Sequence, residues 1–200
     1  MSQSGETPYE THAAEYLAAR DSSSIGANVV DQWARSLKFN AEVLDLACGG
    51  GYPVTTALQE NDLSVWAIDS SPTLLETFRV RFPDVATRCE SVQTSTFFDR
   101  EFDAVIAVGL MFLLSESDQI DLIRRIPSAL RAGGRFMFSA PTEAGQWPDL
   151  TTGVESVSLG FEVYERTLTQ AGFRLAQQLV DKGDSNYYDA VFDGPATPIG

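Results

Sequence analysis

Glu42-Val43-Leu44-Asp45-Leu46-Ala47-Cys48-Gly49-Gly50-Gly51 is the stretch on which the fold turns. A short apolar run that ends in three glycines reads as a buried strand feeding a tight turn. Pro53 follows and suits the first turn of a helix that carries Val54, Ala57 and Leu58. Downstream, residues 63–68 read as a second strand closed by Asp69. Ser71-Pro72 then caps a helix with the apolar face Leu74, Leu75, Phe78 and Phe82. Further strands are expected over 85–89, 102–108 and 135–140, the last entered through Gly133-Gly134. A helix is expected over 117–130, with Pro127 forcing a kink or an early end near Arg125. A helix near 161–171 and strands near 173–180 and 187–192 complete the chain.

Strands that alternate with helices make a mostly parallel, doubly wound α/β sheet with helices on both faces. Its ligand lies beyond the carboxyl ends of the strands, where the strand order reverses. The glycine turn stands at that point.

Upstream, Thr7-Pro8-Tyr9-Glu10 reads as a capping box. Tyr9, His12, Ala13, Tyr16, Leu17 and Arg20 recur at helical spacing and predict one face of one helix. Val29, Val30, Trp33, Ala34 and Leu37 predict a second short helix. The first six and last seven residues read as loose ends.

The chain has 200 residues, room for one domain. Its net charge is −14, from 28 acids against 14 bases, which disfavours binding to a phosphate backbone. No apolar run approaches the roughly 18 residues of a membrane span, and the N-terminus is polar. A cytoplasmic protein that binds neither membranes nor nucleic acid is the expectation, as a monomer or homodimer. Two cysteines, Cys48 and Cys89, and one histidine offer no zinc pattern, and reduced thiols are the simpler reading.

Three features fall at the ends of the first three strands. The glycine turn lets a ligand approach the main chain closely. Asp69 stands 18 residues past Gly51, where an acid can accept both hydroxyls of a ribose, or simply cap the next helix. Glu90 and Ser91 follow the third strand, where a carboxylate can accept from an exocyclic amine or stay solvated.

Together these residues resemble the class I S-adenosylmethionine-dependent methyltransferase family. Asp45, Ala47, Gly49 and Gly51 stand where that family has acid–x–Gly–x–Gly–x–Gly. Asp69 matches its ribose acid and Glu90 its adenine-side acid. Phe102-Asp103-Ala104-Val105 and Leu130-Arg131-Ala132-Gly133-Gly134 are similar to its fourth-strand and pre-fifth-strand signatures. The resemblance implies a seven-stranded sheet of order 3-2-1-4-5-7-6, with the last strand antiparallel. It implies S-adenosylmethionine as cofactor and S-adenosylhomocysteine as product. It divides the chain into a helical cap (1–40), a cofactor-binding half (41–141), an acceptor-side half (142–193) and a tail (194–200). Cofactor contacts are then expected from Asp45, Ala47, Cys48, Gly49, Gly51, Asp69, Ser70, Glu90, Ser91, Val108 and Arg20. Ala47 departs from the family's glycine, and an alanine is expected there only at negative φ. A nicotinamide-binding domain fits less well, because Gly49-Gly50-Gly51-Tyr52-Pro53-Val54 lacks the last glycine of its fingerprint.

Methyl transfer from a sulfonium is an in-line displacement that needs alignment and dryness, with a base only for a protonated nucleophile. After the fourth strand stand Leu110 and Phe112, an apolar wall. The Asn/Asp-Pro-Pro-aromatic motif of nucleobase and glutamine methylating enzymes is absent, and so is a Pro-Cys nucleophile. A small-molecule acceptor is expected, in a pocket formed by Leu110, Phe112, Trp147, Asn186, Tyr187 and Tyr188. His12, Tyr9 and Tyr16 are the candidate catalytic groups, His12 as base. Arg20 is placed to hold a carboxylate of cofactor or substrate. A cyclase, lyase or aminocarboxypropyl transferase using the same cofactor, or a non-catalytic binding subunit, are the rival readings.

Overall fold

The computed structural model describes residues 8–194. Thr7, the expected cap of the first helix, lies outside them.

Seven strands form the main sheet: β1 (Glu42–Leu46), β2 (Ser64–Asp69), β3 (Ala86–Cys89), β4 (Phe102–Ala107), β5 (Leu130–Ser139), β8 (Phe173–Val180) and β9 (Asn186–Phe192). Their order is β3-β2-β1-β4-β5-β9-β8, with β9 antiparallel to both neighbours and β1 to β5 parallel. This is the expected order once the two strands of a separate hairpin are set aside. The order reverses between β1 and β4, at the glycine turn.

Successive residues of the central strands feed opposite cores, as a period of two requires in a sheet covered on both faces. Val43, Ala104, Ile106 and Met137 join α3 (Ala27–Arg35), α4 (Val54–Glu60) and α5 (Pro72–Arg81) through Val30, Trp33, Leu58, Leu75 and Phe78. Leu44, Val105, Phe136 and Phe138 join α6 (Glu116–Arg125) and α7 (Phe161–Gln170) through Leu122, Ile123, Tyr164 and Leu168. Buried Asp189 on β9 accepts from Trp33 Nε1 at 3.0 Å, from Arg135 and from Gln177 Nε2 at 2.9 Å, so its charge is compensated.

Pro127 acts as expected. α6 stops at Arg125, and a 3₁₀ turn over Ile126–Ala129 leads into β5. One expectation is corrected, and one element is added. The single N-terminal helix is two, α1 (Pro8–Thr11) and α2 (Ala13–Asp21), broken at His12, whose φ of −109° and ψ of 18° are not helical. The Glu10 carboxylate accepts from Ser71 Oγ and from Thr73 Oγ1 (2.6 Å), pinning α1 to the start of α5. The long connection after β5 holds an antiparallel hairpin, β6 (Ala144–Pro148) and β7 (Glu155–Leu159). β6 is mostly exposed and lacks apolar alternation, which hid it in the sequence. No helix among the described residues is long and apolar enough to cross a membrane.

Candidate functional site

The glycine turn is built by the protein's own packing. A Cβ on Gly49 would lie 3.0 Å from the Tyr16 ring, one on Gly50 2.4 Å from Leu17, and one on Gly51 2.2 Å from the Phe82 ring. Side chains of α2, and the residue that closes α5, therefore rest directly on the loop. Arg81 secures that contact with a two-point bond to Asp21, at 2.8 and 2.6 Å. Ala47 has φ of +57°, so the expectation of a negative φ is corrected. The turn demands left-handed backbone, and an alanine here carries strain of about 1–2 kcal/mol.

Asp69 is buried at the end of β2. Its Oδ2 accepts from the Gly49 amide and its Oδ1 from the Ser71 amide, both at 2.8 Å. It ties the loop to the helix start, and each oxygen keeps a second lone pair. Burial pushes its carboxyl up, against those amide bonds. Asp45 lies beneath the loop, 1% exposed, and accepts from Thr55 Oγ1 at 2.7 Å. Burial raises its pKa to about 7, with the Asp69 charge adding to the effect. Glu90 Oε1 accepts from Ser95 Oγ at 2.6 Å, leaving Oε2 for another donor.

Two cavities meet here. The first, about 250 Å³, is lined on its polar side by Asp69, Ser70, Glu90 and Ser91, and elsewhere by Ala47, Leu74, Val92, Leu110, Leu113 and Leu114. The second, about 490 Å³, is lined by Arg20, Val108, Phe112, Trp147, Asp149, Asn186 and Tyr187, among others. Tyr9, Tyr16 and Gly109 line both. Gly109 has φ of +74°, and a Cβ placed on it would meet nothing within 4 Å, so the backbone is bare where the cavities join. Its amide donates to Ser139 Oγ at 2.7 Å, which holds that bend.

The two tyrosines pack edge to face, with ring centroids 5.2 Å apart. Tyr9 donates its phenol proton to Asp149 Oδ2 at 3.1 Å, joining α1 to the loop of the β6–β7 hairpin over the second cavity. Burial pushes Tyr16 up to about 12, and burial together with Asp149 raises Tyr9 further. Both phenols stay protonated at neutral pH. Burial alone would raise Asp149, but its bonds from Thr152 and Tyr9 outweigh that and hold it below the usual carboxylate range.

Several expected site residues sit elsewhere. His12 lines neither cavity; it pairs with Glu15 at 3.2 Å at the helix break, because the break turns it off the face that Tyr9 and Tyr16 share. Tyr188 is fully buried and stacks on Phe138 at 4.8 Å, since it faces the core side of β9. Asp45, Cys48, Gly49 and Gly51 do not line either cavity. Arg20 belongs to the second cavity and not to the first. Leu110 falls in the first cavity. Asp149 escaped the sequence reading, because only the hairpin brings it to Tyr9, 140 residues away.

A doubly wound sheet of this order, with a glycine turn after β1 and acids closing β2 and following β3, defines the class I methyltransferase architecture. Residues 43–134 match the family model described as a methyltransferase domain. Proteins described as S-adenosylmethionine-dependent methyltransferases are among the similar solved structures. Among solved structures, the glycopeptide N-methyltransferase MtfA is similar at TM-score 0.70 and 19% identity, over 84% of this chain and 96% of that one. The 1,6-didemethyltoxoflavin-N1-methyltransferase of Burkholderia thailandensis, solved with bound 1,6-didemethyltoxoflavin and S-adenosylhomocysteine, is similar at TM-score 0.67 and 17% identity, over 97% and 94%. Among curated proteins, the carboxy-S-adenosyl-L-methionine synthase of Campylobacter fetus subsp. fetus is 28% identical over 152 residues, 72% of this chain and 62% of that one. The tRNA U34 carboxymethyltransferase of Nautilia profundicola is 26% identical over 104 residues, 49% and 33%. The chain thus spans between one third and two thirds of the length of these two relatives.

The donor set of the first cavity fits that family's cofactor. Two carboxylates, Asp69 and Glu90, face an otherwise largely apolar lining. Asp69 would hold a ribose and Glu90 an amine-bearing base, with Tyr16 at the methionine end.

Proposed function

We propose that this protein transfers the methyl group of S-adenosylmethionine to a small-molecule acceptor. The observation that carries the reading is the shared boundary of the two cavities: Tyr9, Tyr16 and bare Gly109 border both, so a cofactor in one and an acceptor in the other meet there. When bound, the cofactor supplies an electrophilic methyl. The protein's own part is alignment and exclusion of water. Tyr16, protonated, orients the acceptor by donating to it, while Tyr9, whose proton goes to Asp149, offers its oxygen lone pairs. The acidic surface argues against a nucleic-acid acceptor, and a cytoplasmic location follows the same reading.

The test is calorimetric titration with S-adenosylmethionine and S-adenosylhomocysteine, followed by an acceptor screen read as S-adenosylhomocysteine formed. Micromolar binding and acceptor-dependent product support the reading; no binding of either ligand sinks it.

A second reading has one specific support, the relative named as a carboxy-S-adenosyl-L-methionine synthase. In it the cofactor is itself the substrate and is modified. Mass spectrometry separates the two: a carboxylated sulfonium product favours the second, a methylated acceptor the first.

A further inference from the structure

Arg20 closes the last turn of α2 and lines the second cavity. Among the described residues, Arg20, Arg166 and Lys182 are the cations whose side chains make no ion pair or hydrogen bond; Arg166 and Lys182 are exposed, whereas Arg20 is half-buried. A guanidinium drawn partly out of water without a counter-charge is costly in a chain that carries 28 acids. Two acids, Asp149 and Asp184, share the cavity lining, and neither forms an ion pair with Arg20. Asp149 is committed, with Oδ1 accepting from Thr151 and Thr152 and Oδ2 from Tyr9. Tyr187 gives its proton to Asp181 at 2.8 Å.

The rest of the cavity describes the body of the ligand. Phe112 and Trp147 line it as a tilted pair, with ring centroids 5.9 Å apart, and remain partly open to it. Aromatic walls of this kind favour a flat apolar group by offset or edge-to-face contact. Arg20 is the single cation on the lining, which matches one negative charge and not a phosphate dianion. Its planar fork pairs a carboxylate through two parallel bonds.

We propose that the acceptor is an aromatic carboxylic acid, anchored through its carboxylate by Arg20 with its ring against Phe112 and Trp147. This rests on reading the second cavity as the acceptor site. The carboxylate of the cofactor is the competing source of the same chemistry, and the experiment separates the two.

Benzoate, phenylacetate and indole-3-acetate, each beside its carboxamide, are titrated calorimetrically into the full chain with and without saturating S-adenosylhomocysteine. The expected result is that at least one acid binds ten-fold or more tighter than its amide. Arg20→Met removes that preference, Arg20→Lys keeps part of it, and both bind S-adenosylhomocysteine within three-fold of the parent, which also shows that they are folded. The proposal is overturned if no acid is preferred over its amide. It is equally overturned if Arg20→Met weakens S-adenosylhomocysteine ten-fold while leaving methylthioadenosine, which lacks the amino-acid end, unchanged; Arg20 then serves the cofactor. A parent protein that binds no S-adenosylhomocysteine sinks the methyltransferase reading, while the acid–amide comparison without cofactor still decides the role of Arg20.

Discussion

The amide of Gly49 donates to Asp69 Oδ2 at 2.8 Å, so the glycine turn after β1 and the acid that closes β2 form one unit. A ligand that bonds Asp69 is thereby registered against the loop. A charged hydrogen bond to a ribose is worth roughly 1.5–3 kcal/mol. Asp69→Ala is expected to weaken S-adenosylhomocysteine by about 10- to 100-fold, measured by calorimetry. Because the same oxygen braces the loop, melting temperature should fall as well. An unchanged affinity removes Asp69 from the cofactor site.

Asp45 predicts a pH dependence. Its folded pKa of about 7 lies above the ordinary 3.8, because burial disfavours the anion. The folded chain therefore holds a proton that the unfolded chain has released between these values. The stability from this group is fully present below about pH 4 and is lost as pH rises through 7, at about 1.4 kcal/mol per pH unit between. Asp45→Asn, which stays neutral, should flatten the stability profile from pH 5 to 8. A mutant profile parallel to the parent's contradicts the buried, protonated assignment.

Ala47→Gly relieves left-handed strain of about 1–2 kcal/mol and costs about 0.5–1 kcal/mol in the entropy of the unfolded chain. A small net gain is expected, seen as a rise of about 1–4 °C in melting temperature. Ala47→Val should lower it, since a β-branched residue tolerates positive φ poorly. A fall on Ala47→Gly would show that the methyl makes contacts outweighing the strain.

Tyr9→Phe deletes the bond from α1 to Asp149, worth about 1 kcal/mol. Amides of the β6–β7 hairpin should then exchange about five-fold faster in hydrogen-exchange mass spectrometry, with the main sheet unaffected. Equal protection in the two proteins would mean that the hairpin is held by its own packing.

His12→Ala should change stability by no more than about 0.5 kcal/mol, and turnover, once an acceptor is found, by no more than about two-fold. A large loss of turnover with normal folding would return His12 to the site.

The main sheet was readable because its evidence is local. Residues 42–51 carry an apolar run and three glycines in sequence, and each later strand is bounded by its own turn residues. Ser71-Pro72 and Pro127 act through their immediate neighbours, and their effects on α5 and α6 follow from one residue's stereochemistry. Asp69 and Glu90 were legible as candidates because a strand's end is a topological address in a doubly wound sheet.

Spacing along a helix could not show that the helix breaks at His12. It could not show either that Glu10 meets Ser71 and Thr73 at the start of α5, partners 61 and 63 residues away. The hairpin was hidden for a related reason: β6 has little apolar signal and gains order by pairing with β7. Nor could alternation along β9 say that Tyr187 borders a cavity while Tyr188 enters the core. By its sequence alone the chain declared a doubly wound sheet, its order by resemblance, and the acids at its switch point, since these follow from periodicity and turn chemistry. Which side chains share a cavity, that Ala47 is left-handed, and that Asp149 meets Tyr9 arose only on folding, because they depend on contacts between segments far apart in the chain.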